Sequence, residues 1–242
     1  QSSENEARSA NQSVKKDTRF DTPDPLQIGG KLYLRTQSMI TDDQNASDVP
    51  LDSSALLYLY GDARPTQRIR AFAKARVDHR FTQAESFFSS VTQDESAETR
   101  VQLDQLWLKF DVNRSVFVSL GQQPVRWGTT RIWNPVDFVN AQRKDPLAIF
   151  DARPGIPLIK LHMPLEGVAD GANLYAIAQL DDAATLGDVG GLLRAEFSAG
   201  ATETGVNVAM RKEQPLRIGA DFSGGLGPLE LRFEGALSHG DE

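Results

Sequence analysis

Read by parity, the stretch RIRAFAKARVDHRF separates into two rows: Arg68, Arg70, Phe72, Lys74, Arg76, Asp78 and Arg80 against Ile69, Ala71, Ala73, Ala75, Val77, His79 and Phe81. Period two belongs to a β-strand, whose successive side chains leave the pleat on opposite faces. Such a strand needs water on one face and an apolar medium on the other. A single strand of this kind fits a soluble sheet packed on a core as well as a sheet bathed in lipid. What constrains the fold is repetition, because the alternation recurs in about eleven segments.

The segments lie near Lys31 to Ile40, Ala55 to Asp62, Arg68 to Phe81, Val101 to Val112, Val116 to Arg126 and Pro157 to Met163. Others lie near Ala172 to Leu180, Leu192 to Ala199, Val206 to Arg211, Leu216 to Phe222 and Leu229 to Leu237. The later ones repeat the pattern, as in Leu193, Ala195 and Phe197 against Arg194 and Glu196. No amphipathic helix separates them, which argues against parallel βαβ units. No apolar run reaches the roughly 18 to 20 residues of a spanning helix, which says nothing against spanning strands.

The connections alternate between long and short, with only KEQP breaking the pattern. An up-and-down transmembrane barrel places tight turns at one rim and long loops at the other, whereas a Greek-key sandwich does not. The expectation is an all-β, antiparallel up-and-down transmembrane β-barrel of a bacterial outer membrane. A polar tail over 1–28 precedes barrel strands over 29–242, with long outer loops at 41–54, 82–98 and 127–156. Such barrels usually have an even strand number, so about eleven strands read as part of a barrel. The alternative is a soluble sandwich or lectin-like domain.

In a barrel, the bases of the alternating strands face a wet lumen. They are Lys31, Arg35, Arg68, Arg70, Lys74, Arg76, Arg80, Lys109, Lys160, Arg194, Arg211, Arg217 and Arg232. Fewer acids, Asp78, Asp111, Glu196, Asp221, Glu230 and Glu234, share their parity. The expected pore-lining set is Arg68, Arg70, Lys74, Arg76, Arg80, Lys109, Lys160, Arg194 and Arg217. A positive lumen inside a chain of net charge −7 enriches anions. The competing reading pairs these bases with acids on neighbouring strands. The acidic balance argues against nucleic-acid partners.

The stretch from Gly121 to Pro157 is long for a connection and carries Trp127, Trp133 and four prolines after them. It is expected either to fold inward as a constriction or to lie outward at the membrane interface. The inward reading names Arg126, Trp127, Arg131, Trp133, Asn134, Asp137, Arg143 and Arg153 as constriction residues. Gly121 and Gln123 at a strand end, then Trp127-Gly128, Asn134-Pro135-x-Asp137 and Arg153-Pro-Gly155, resemble Gram-negative outer-membrane porin-like barrels of largely unassigned function. That resemblance covers about forty residues and implies a barrel and a channel. This chain ends at Glu242, where such barrels typically end in an aromatic residue.

Enzyme chemistry finds little to work with. His79, His162 and His239 lie on separate elements, and no serine sits in a nucleophile motif. No enzymatic activity and no cofactor or metal is expected. The expected partners are outer-membrane lipid, lipopolysaccharide and small polar or anionic solutes, with envelope proteins reached through the loops or the tail. Passive diffusion of small solutes is the first expectation, and a structural barrel that scaffolds an envelope complex is the alternative.

Overall fold

A computed structural model of the chain describes residues 25–38, 45, 49, 51–81, 99–130, 133–140, 153–168, 170–181 and 183–240. Among the described residues, eleven strands form one sheet: β1 Leu26–Ser38, β2 Leu51–Thr66, β3 Ile69–Arg80, β4 Thr99–Val112, β5 Val116–Gln123 and β6 Ile156–Leu165, followed by β7 Gly171–Gln179, β8 Gly190–Ala199, β9 Thr202–Met210, β10 Leu216–Leu226 and β11 Leu229–His239. Each pairs antiparallel with its sequence neighbours, in the order β1 to β11. The fold is all-β, antiparallel and up-and-down, as the alternation predicts.

The strands run longer than their alternation suggests. The first strand starts at Leu26, inside the expected tail 1–28, and the second at Leu51, inside the expected loop 41–54. Ladder pairing carries Ser53 and Ser54 into the sheet although neither favours a strand by itself. Arg68 is not a strand residue: it lies in the turn 67–68, where the Thr66 hydroxyl accepts its backbone N–H at 3.2 Å. The fifth strand stops at Gln123, short of Arg126.

Long connections at 39–50, 81–98, 124–155 and 180–189 alternate with short ones at 67–68, 113–115, 166–170 and 200–201, followed by 211–215, as short as 166–170, and 227–228. KEQP, in 211–215, breaks the alternation in absolute length, although the connections on either side of it are two-residue turns. An up-and-down order then places every long connection at one end of the sheet.

One face carries apolar side chains, among them Ile28, Leu32, Leu34, Val101, Leu161, Leu193, Val206 and Leu237, all exposed. The other is polar. A bulge keeps β4 in phase: Lys74 pairs with Gln105 and Ala75 with Leu103, so Asp104 is an additional residue. Asp104 and Gln105, adjacent in sequence, consequently both serve the polar face.

Candidate functional site

The polar face divides into two regions. Over β1 to β4, cations stand above buried carboxylates. Arg64 and Arg70 both reach Asp62, at 2.9 and 2.8 Å; the Arg64 side chain is 55% exposed and that of Asp62 only 8%. Lys74 and Arg76 share Asp104 at 3.6 and 3.5 Å, and Arg76 also meets Asp78 at 3.3 Å. Arg35 lies 3.8 Å from Asp52, and Arg68 lies 4.0 Å from Asp111 across the turn. Asp52, Asp62 and Asp111 anchor their arginines from below and leave positive heads toward water, whereas Arg76 is itself buried, with 6% of its side chain exposed against 39% for Asp78. Rings interleave with them: Phe72 stacks on Trp107 at 5.4 Å, Arg70 lies 5.3 Å from the Trp107 centroid, and the Lys74 ammonium sits 3.9 Å over Tyr58.

Over β6 to β11 part of the polar face is covered by residues 124–130 and 133–140. Extended backbone sends Val125 and Trp127 down and Arg126 outward, and the turn beyond buries Val136 and Val139. Val125, Trp127 and Val139 meet Leu158, Ile177 and Leu192, which form an apolar island on this face. Sheet side chains secure the backbone above it. The Gln179 amide donates to the Val139 carbonyl at 3.1 Å, and the Asn207 amide donates to that of Val136 at 2.8 Å. Arg232 donates to the Thr129 carbonyl at 2.7 Å, while one oxygen of Glu234 accepts the N–H groups of Thr129 and Thr130, each at 2.6 Å.

Under Trp127, at 5.8 Å from its ring, lies the Arg194 guanidinium. It donates twice to Asp221, at 2.5 and 2.9 Å, and once to Glu196 at 2.7 Å. The side chains of Arg194 and Asp221 are 3% and 1% exposed, so this pair holds a doubly hydrogen-bonded geometry out of water. Register explains how they meet, because Gly205 separates Glu196 from Asp221 in the ladder. A Cβ at Gly205 would enter the guanidinium.

The Trp-Gly and Asn-Pro-x-Asp residues prove to be parts of one folded loop. Gly128 has φ +94, and a Cβ there would meet the side chains of Asn134 and Glu234. Asn134 donates to the Trp127 carbonyl. Asp137 accepts from the Asn140 amide at 2.8 Å and faces Arg153 at 3.5 Å. Burial pushes the Asp137 carboxyl above its ordinary range, opposed by the Asn140 hydrogen bond and the Arg153 charge. Trp133, in contrast to Trp127, is 70% exposed.

Of the expected pore-lining residues, Arg70, Lys74, Arg76 and Arg80 lie on the polar face of β3, and Arg68 reaches the same region from the turn. Lys109, Lys160 and Arg217 share that face, Arg217 close to Gln214 at 3.4 Å. Arg194 is sealed beneath the loop. Among the expected constriction residues, Arg126 and Trp133 project outward from the loop and Trp127, Asn134, Asp137 and Arg153 hold it together, while Arg131 and Arg143 lie outside the described residues. The alternation does not reveal the island, but the doublets Leu158-Ile159 and Leu192-Leu193 signal it: both faces are apolar there. No group of three or more His, Asp or Glu side chains among the described residues could hold a metal ion. Neither a scan against protein-family models nor a search of curated proteins finds a match to this chain.

Proposed function

We propose that the sheet belongs to a channel-type β-barrel of a bacterial outer membrane, passing small polar solutes with a weak preference for anions. One observation carries the reading: a single sheet presents exposed large aliphatic side chains on one face and paired charges on the other. A soluble domain covers an apolar sheet face with a second layer, and contiguous apolar patches beyond a few hundred Å² rarely remain in water. Lipid removes the need for that layer, and pairing on both sides satisfies the backbone of β2 to β10, while the sheet ends at β1 and β11, whose outer edges a complete barrel would have to pair. Strands of 8 to 16 residues suit a crossing that needs about 9 to 11 when tilted. The expected partners are then lipid and lipopolysaccharide outside and small anions inside.

The anion preference draws on Arg64, Arg70 and Lys74, whose side chains reach water while Asp62 and Asp104 beneath them do not. A scaffold barrel with a filled interior is the second reading, favoured by the loop that occupies the polar face of β6 to β11. Planar-bilayer conductance under a salt gradient decides between them. The channel predicts open, anion-leaning current that moves toward neutrality in the Arg64→Gln, Arg70→Gln, Lys74→Gln variant. Insertion without current replaces it by the scaffold, and extraction without detergent removes both.

A further inference from the structure

Of the polar-face cations that stand apart from the pattern of bases set over acids, two flank the same residue. Lys109 on β4 and Lys160 on β6 both stand opposite Ser119 of the intervening β5. Neither has a carboxylate within ion-pair distance among the described residues, whereas Arg35, Arg64, Arg70, Lys74 and Arg194 each have one. Their backbones are two strands apart, about 10 Å at the usual sheet spacing. Both flexible stems can therefore bring an ammonium to a common point above Ser119.

The surroundings restrict the lysines without neutralising them. The Lys109 ammonium lies 5.2 Å from the Phe117 centroid. Phe117 stacks on His162 at 5.7 Å and His162 on Tyr175 at 4.5 Å, while His162 shares a 2.8 Å hydrogen bond with Asn173. A row of three locked rings thus borders the two cations on one side. On the other flank, Lys160 stands opposite the buried Ile177. Two like charges beside rings and an aliphatic side chain are costly unless a negative group joins them.

We propose that Lys109, Lys160 and Ser119 form a binding site for a compact oxyanion, the carboxylate or phosphate head of a small solute. The ammonium groups supply charge-assisted hydrogen bonds from two sides, and the Ser119 hydroxyl adds a third donor. The site deepens the anion preference proposed above and rests on the same wet face. It locates that preference at one step along the face, away from the paired arginines of β2 and β3.

Calorimetric titration of the full chain in detergent at low ionic strength tests it, with acetate and inorganic phosphate as separate ligands. Saturable binding of at least one is expected. Lys109→Gln or Lys160→Gln should weaken it about tenfold and the double variant should abolish it, as expected for losing hydrogen bonds to charged groups. Lys109→Arg with Lys160→Arg should retain binding, and Arg217→Gln should leave it unchanged. Which ligand binds more tightly distinguishes a carboxylate site from a phosphate site. Absence of saturable binding to the parent chain, or equal binding by the double Gln variant, overturns the site. Binding without bilayer current keeps the site and removes the channel, whereas current without binding does the reverse.

Discussion

The regions over β1 to β4 and β6 to β11 use the same alternation and the same residue types for opposite ends. In the first, Asp62 is buried and its arginines are exposed, so the pair is hydrated at one end. In the second, Arg194 and Asp221 are both buried, capped by Trp127, and every guanidinium nitrogen has an acceptor. An exposed pair contributes little because water serves each charge nearly as well. A sealed pair fixes geometry instead, since separating its members strands a charge. Charge on a polar face does not by itself line a passage: what covers the charge decides whether it meets a solute or holds a loop.

Substitutions at the two pairs test the contrast most severely. Asp221→Asn should cost about 3 to 5 kcal/mol by leaving Arg194 buried without its main partner, read as equilibrium urea unfolding in detergent micelles. Trp127→Ala should cost about 3 kcal/mol or more and open the segment 124–140 to protease cleavage. Gly128→Ala, which forces a side chain into a left-handed backbone beside Asn134, should cost about 1 to 3 kcal/mol and loosen the same segment. Asp62→Asn should cost under about 1 kcal/mol in the same unfolding measurement, because its arginines remain hydrated. If Asp62→Asn and Asp221→Asn proved equally harmful, the distinction between the regions would collapse.

The smallest effect lies outside the sheet. Hydrogen bonds from Thr185, followed by Lys212, hold the Asp188 carboxyl below its ordinary range. Their contribution is present above the ordinary carboxylate pKa and fades as pH falls through the lowered value. A carbon-detected NMR titration should show Asp188 moving upward in Thr185→Ala, with no change at the Trp127 loop.

The strand pattern is legible in the sequence because one face is apolar and the other charged, and Arg70, Lys74 and Arg76 carry that signal without help from the fold. The bulge at Asp104 is not, since two adjacent polar residues read equally well as the end of a strand. The acids beneath the bases are also hidden: Asp62 and Asp104 lie on different strands from Arg70 and Arg76, and only register joins them. The loop motif is visible as Trp127, Gly128, Asn134 and Asp137, but its work is not. Residues that look like constriction charges, Asp137 and Arg153, neutralise each other within the loop.

Glu234 grips the backbone of Thr129 across a separation of 105 residues. Contacts so distant in sequence form only after the entropy of closing the intervening chain has been met. The loop precedes its last anchor by that whole separation, so the Thr129 end of it is seated only with β11. Until that strand joins the sheet, the N–H groups of Thr129 and Thr130 lack their acceptor, although Gln179 and Asn207 can already hold the Val139 and Val136 carbonyls.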